Sequence, residues 1–428
     1  MKENPDNREA EGARPDTGPA APAPASVAAP DAAPERLWTG RFIGMILMRF
    51  FASFALNAYV AIMALYALNE FSSGEALAGL ASGAFVIGAM VARFFTAKFT
   101  EVIGRNRLLR ISAVAFLVTS LPYLLEPGVL GIGGLVAVRF FHGMANGVMS
   151  NTNTVAAADF IPRARMGEGL GYFSLGTTVA LALGPMTALG LVHTVGYRAF
   201  FILGAVLAAL CVAVAFTVRL REVELTAEER NDILHHTSLN QFLDFETLPL
   251  SVCMFIVCLC YSGVTAFLAP YTEGMGLMSA ASTYFTVYAV LLLVMRPFVG
   301  KLEDKRGENF VIYPTLLMQV AGYVLISRLG GLPGIPGILA AAFIMSIGQG
   351  CFFTAMQALV MKGAKSQRLG VVTSTFFLFV DAGSGLGSAA LGALVPGVGY
   401  DGMYLVCAGA AVLLGVYYTL VHGHRARK

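Results

Sequence analysis

Charge is what this chain has least of. Asp, Glu, Lys and Arg make up 13% of its 428 residues, against 57% apolar residues, and the mean hydropathy is +0.70. Soluble domains carry roughly 25% charged residues, so a water-soluble globular fold is excluded. No basic run is interleaved with aromatics, which argues against a nucleic-acid partner. The sequence also lacks a phosphate-cradling glycine loop, a nucleophile with a base beside it, and a long polar stretch able to house a catalytic domain. An enzyme is therefore not expected. The six cysteines (Cys211, Cys253, Cys258, Cys260, Cys351 and Cys407) all lie in apolar stretches without zinc-site spacing. They read as small core hydrophobes, and neither metal nor cofactor is expected.

What the chain does have is apolar runs of about 20 residues, the length that crosses a bilayer core. Residues 1–36 stand apart as a Pro/Ala-rich tail that cannot bury a core and is expected to be disordered. The only tryptophan, Trp38, follows between Arg36 and Arg41 and suits a membrane–water interface. Twelve helices are predicted. Six lie at 41–68, 76–97, 108–126, 131–158, 167–191 and 198–219, and six at 248–271, 279–300, 309–328, 335–361, 369–393 and 402–423. The expected organisation is a tail (1–36), a first six-helix bundle (37–219), a linker (220–247) and a second bundle (248–428). Thr226–Glu229 in the linker is a possible helix cap, and the adjacent His235 and His236 point different ways on a helix, which disfavours a metal site. Lys and Arg crowd the loops on the side of the termini, while the opposite loops carry only Arg198 and Arg328. The positive-inside rule then places both termini in the cytoplasm, for a multi-pass protein of the plasma membrane.

One charged segment occurs twice. Arg93–Gly104 (RFFTAKFTEVIG) returns as Arg296–Gly307 (RPFVGKLEDKRG), with matched positions 203 apart: 93 and 296, 101 and 304, 104 and 307. A repeated charged turn between apolar helices implies two similar halves, as in proteins that rock between two states. Arg93, Glu101, Gly104, Arg105 and Arg107 in one copy, and Arg296, Gly300, Asp304, Arg306 and Gly307 in the other, are expected to form a cytoplasmic latch. Glycine supplies the tight turn and the acid gathers basic neighbours.

Ionisable residues inside a membrane are functional candidates. On the fourth helix, Arg139, His142, Asn146, Ser150 and Asn153 share one face and are expected to line a cavity. Asp381 lies about twelve residues into the eleventh helix, roughly 18 Å at 1.5 Å per residue, near mid-membrane. With Arg139 and His142 it is a candidate for proton coupling; a static pairing with Arg139 or with a helix end is the plainer alternative. Arg49, Ser53 and Asn57 share a face of the first helix, where Arg49 can snorkel to the surface and Asn57 reaches the cavity. Tyr261 on the seventh helix and Gln349, Phe353 and Gln357 on the tenth complete a mixed aromatic and polar lining. Ser346-x-x-Gln349-Gly350 repeats Arg139-x-x-His142-Gly143 in neutral form.

These motifs resemble those of the major facilitator superfamily. Gly300-x-Leu302-x-Asp304-x-x-Gly307 matches the core of the loop signature of that family, and Ala97-x-Phe99-x-Glu101-x-x-Gly104 is a drifted copy. Arg139-x-x-His142-Gly143 is similar to its helix 4 signature, in which the arginine of drug antiporters is implicated in proton coupling. Gly171, Gly184 and Pro185 match its antiporter signature on helix 5, although Ala180, Ala188 and Leu189 depart from it. The resemblance implies an all-α membrane protein of two pseudo-symmetric six-helix bundles. It further implies a monomeric transporter working by alternating access, with proton-coupled efflux of a small amphipathic or drug-like molecule as the leading expectation. Uptake of a sugar, amino acid or organic acid is the alternative, and a receptor or scaffold fits less well because a latch serves a molecule that moves.

Overall fold

The computed structural model describes residues 37–72, 75–220, 222, 239–277, 280–331 and 334–423. The tail 1–36, the Thr226–Glu229 segment and His235–His236 lie outside the described residues. Among those described, twelve helices are long and apolar enough to cross a membrane. They are α1 (Gly40–Phe71), α2 (Glu75–Ile103), α3 (Arg105–Ser120), α4 (Pro127–Phe160), α5 (Met166–Thr194) and α6 (Tyr197–Thr217). After the connection come α7 (Leu248–Glu273), α8 (Ala280–Arg306), α9 (Glu308–Ser327) and α10 (Gly334–Gly363, with a π-helical stretch at Ser346–Cys351). The long helical run Leu369–Tyr418 is broken at Gly399, where φ is +69°. It thus supplies the last two spans, α11 (369–398) and α12 (400–418).

The doubled segment is mostly helix, not loop. Charged Lys and Glu are good helix formers, so α2 runs on to Ile103 and α8 to Arg306, several residues past the sequence-predicted ends. The stop is set by one residue in each half. Gly104 (φ +90°) and Gly307 (φ +85°) occupy the positive-φ region that an L side chain resists, and each starts the next helix. The 203-residue step recurs further on, at Gly196 (φ +100°) before α6 and Gly399 before α12.

Each half buries its own core. Phe42, Tyr59, Phe116, Leu135, Phe173 and Phe200 belong to one cluster in the first half. The second half is filled by clusters around Tyr284, Tyr323 and Tyr404, and around Met254, Phe352 and Phe376. The outward faces are apolar too: Phe95, Phe141, Phe298, Leu317 and Leu413 are all more than half exposed. Such a belt is incompatible with water and suited to lipid.

The halves meet along two crossings, α2 with α11 and α5 with α8. The described end of the connection is docked there as well. Phe242 stacks on Phe94 (4.8 Å between centroids), and Asp244 accepts hydrogen bonds from the backbone N–H and the hydroxyl of Thr247. Arg368 donates to that same carboxylate.

Candidate functional site in the seam between the halves

At mid-span the seam is held by the first residue of each doubled segment. Arg93 lies ten residues before the end of α2, about 15 Å along the helix. It pairs with Asp381 of α11 and donates to the carbonyl of Phe377 (3.1 Å). Arg296 does the same from α8 to α5, donating to the carbonyl of Ser174 (3.0 Å) and the hydroxyl of Thr178 (2.6 Å). The acceptors obey the same 203-residue step, Ser174 with Phe377 and Thr178 with Asp381. This corrects the expectation that Arg93 and Arg296 belong to the terminal latch, and the expectation that Asp381 pairs with Arg139. Both arginines lie one to three helical turns deeper than the latch residues of their segments, because the doubled segment is helical and carries its first residue inward.

The latch proper is built from the rest of the second copy. The Asp304 carboxylate accepts the backbone N–H groups of Gly167 (3.1 Å) and Glu168 (2.9 Å), at the N-terminus of α5. There the helix dipole favours negative charge. Gly300 faces the backbone of Gly167 so closely that a methyl group would overlap its carbonyl. Lys301 pairs with Glu168 (3.3 Å), which also holds Arg165. Arg306 lies over the Phe310 ring (4.7 Å) within its own half. On the other seam, buried Arg105 pairs with Asp159 and donates to the carbonyl of Ser366 (2.6 Å), and Gly370 of α11 abuts Thr100 of α2. Arg107 is exposed. The side chain of Glu101 lies outside the described residues. Both seams are therefore closed on the side of the termini.

Above the latch lies a cavity of about 90 Å³, lined by first-half residues that include Arg49, Ser53, Asn57, Arg93, Asn146 and Asn153. The expected cavity stripe on α4 divides. Asn146, Ser150 and Asn153 border the space, whereas Arg139 and His142 are fully buried inside the first half. Arg139 donates to the carbonyls of Ala81 (3.1 Å) and Ser82 (3.3 Å), with its charge over the Phe85 ring (4.8 Å). His142 shares a hydrogen bond with the Tyr123 hydroxyl (3.2 Å) among Tyr59, Phe85 and Phe116. The reason is the crossing of α2 and α4. Methyl groups at Gly88, Gly143 or Gly147 would overlap the opposing backbone carbonyls of Phe140, Phe85 and Ala89, so α2 covers that end of the stripe.

Tyr261, Gln349, Phe353 and Gln357 do not line this cavity, contrary to expectation. Tyr261 stacks on Tyr288 (5.6 Å), and Phe353 meets Phe376 edge to face (5.9 Å). Gln349 lies buried in the π-helical stretch of α10, and Gln357 is buried one to two turns further on. Ring packing within the second half claims Tyr261 and Phe353. The helix 5 glycines do work at contacts. Gly171 sits against the backbone of Arg296 and Pro297, and Gly184, beside Pro185, sits against Asn57 and Ala58. Arg49 does not snorkel: it donates to Thr177 (2.8 Å), lies over the rings of Phe173 (5.6 Å) and Phe377 (5.7 Å), and lines the cavity.

A family model described as the Major Facilitator Superfamily matches residues 45–388. The chain belongs to the major facilitator superfamily. Members are multi-pass membrane transporters of small molecules, and the twelve spans fit that description. Among curated relatives, the staphylopine export protein of Staphylococcus aureus is 21% identical over 370 residues, covering 85% of this chain and 90% of that protein. The multidrug resistance protein MdtG of Dickeya zeae is 24% identical over 383 residues, covering 86% and 91%. Among solved structures, a bacterial homologue of the iron transporter ferroportin in its outward-facing state superposes with a TM-score of 0.76. It is 14% identical and covers 90% of this chain and 100% of that one.

Proposed function

We propose that the protein exports a small molecule from the cytoplasm across the plasma membrane in exchange for protons, working as a monomer with both termini inside. The Arg93–Asp381 pair carries this reading, since it is an ion pair at mid-span joining the two halves that must separate for alternating access. A carboxylate at mid-span needs a counter-charge, and either Arg93 or a proton satisfies that need. Asp381 pairs with Arg93 of α2 and lies within electrostatic range of Arg49 of α1 and Cys258 of α7. Protonation of Asp381 would free Arg93 and let the seam part. The excess of Lys and Arg in the loops on the terminal side supports a cytoplasmic location for the latch. The latch is closed, so the cavity is poised toward the far side in this state. The relatives that export staphylopine or confer multidrug resistance support the outward direction. Arg139 and His142 lie off this path, so proton coupling is assigned to Asp381.

The test uses inverted vesicles with an acidic lumen and a panel of labelled small molecules. Import driven by the proton gradient, abolished in Asp381→Asn, is the expected result. Import that persists unchanged after the gradient is collapsed would retire the exchange reading.

A further inference from the structure

The mid-span seam holds three guanidiniums and one carboxylate. Arg49 lies within electrostatic range of Arg93, Arg296 and Asp381. Arg93 has that acid as a direct partner. Arg296 has a hydroxyl and a carbonyl in the mated positions, and Arg49 has the Thr177 hydroxyl. Neither Arg49 nor Arg296 has a carboxylate partner among the described residues. The Nε atoms of Arg93 and Arg296 are buried without hydrogen bonds. Arg49 and Arg93 both open on the cavity, beside the amides of Asn57, Asn146 and Asn153.

A buried charge without a counter-charge is costly, and guanidinium forks with amide donors match the geometry of carboxylate oxygens. Size points the same way. A cavity of about 90 Å³ is well below the roughly 300–1,000 Å³ of pockets that hold drug-sized molecules. It suits the head of a small anion better than a bulky amphipathic cation, which three arginines would also repel.

We infer that the transported substrate bears a carboxylate, bound by Arg49 and Arg93 where both open on the cavity. The inference rests on the export reading and supplies its substrate class. It revises the expectation of a drug-like molecule.

The experiment is thermal unfolding of the purified full-length protein in detergent, with acetate, succinate or citrate added. Succinamide serves as the uncharged shape control and tetraphenylphosphonium as a lipophilic cation. Succinate or citrate is expected to raise the unfolding temperature, and neither control is. Arg49→Gln is expected to weaken carboxylate binding at least tenfold, with Arg49→Lys restoring part of it, which separates charge from misfolding. Stabilisation by the cation and by no carboxylate, or equal carboxylate binding by Arg49→Gln and the parent, would overturn the inference. The assay needs no gradient, so a chain that binds succinate but does not move it sinks the export reading alone. A chain that exports only cations sinks this inference alone.

Discussion

Arg93 and Arg296 stand at equivalent places in the two halves and reach across the seam in the same way, yet they end on different chemistry. Their backbone acceptors keep step, Phe377 for one and Ser174 for the other. Where Arg93 finds the carboxylate of Asp381, however, Arg296 finds the hydroxyl of Thr178. Duplication repeated the scaffold without repeating the charge. A half-membrane scaffold fixes where a long side chain can go, and one residue at the mated position then decides between an ion pair and a hydrogen bond. Breaking a buried ion pair by removing one partner costs about 3–5 kcal/mol. A hydrogen bond to a charged group is worth about 1.5–3 kcal/mol. One crossing should therefore hold more firmly than the other.

The largest expected effect tests that ranking directly. Arg93→Ala strands Asp381 and should lower stability by about 3–5 kcal/mol while abolishing transport. Arg296→Ala should cost about half as much. Denaturant or thermal unfolding of both variants measures the difference, and equal losses would break the comparison. A smaller effect is expected from making the halves alike. Thr178→Asp gives Arg296 a carboxylate and should slow transport about tenfold, a barrier increase of about 1.4 kcal/mol, while raising the unfolding temperature. Initial transport rates check this, and an unchanged rate would mean that the α5–α8 crossing does not gate the cycle. The smallest effect is at the latch. Asp304→Asn keeps the hydrogen-bonding shape but loses the charge at the α5 N-terminus, worth about 1 kcal/mol. Amide exchange at Gly167 and Glu168 should then speed up about fivefold, read by hydrogen–deuterium exchange.

The fold was legible because its signals are coarse and redundant. Twelve apolar runs, loop charges of one sign and a doubled segment at one fixed spacing each imply the same architecture. Asn57, Asn146 and Asn153 were legible as cavity residues because a polar side chain in a membrane helix has few other places to go. The depth of Arg93 was not legible, because the doubled segment reads as a charged loop until its backbone is seen to stay helical up to Gly104. Arg49 was discounted by its distance from the mid-plane along α1, which ignores the rings of Phe173 and Phe377 that steer it inward. The burial of Arg139 and His142 depends on which helix covers α4, and periodicity along a single helix carries no such information. The aromatic candidates of the second half failed for the same reason, since Tyr261 and Phe353 found partners in their own bundle.

The glycine contacts between α2 and α4 have a mechanical consequence. Main chain rests on main chain at Gly88, Gly143 and Gly147, with no side chain between that could change rotamer and act as a bearing. These two helices have nothing to slide on. The two helices must therefore turn together, so Arg93 on α2 moves with Asn146 and Asn153 on α4 through the transport cycle.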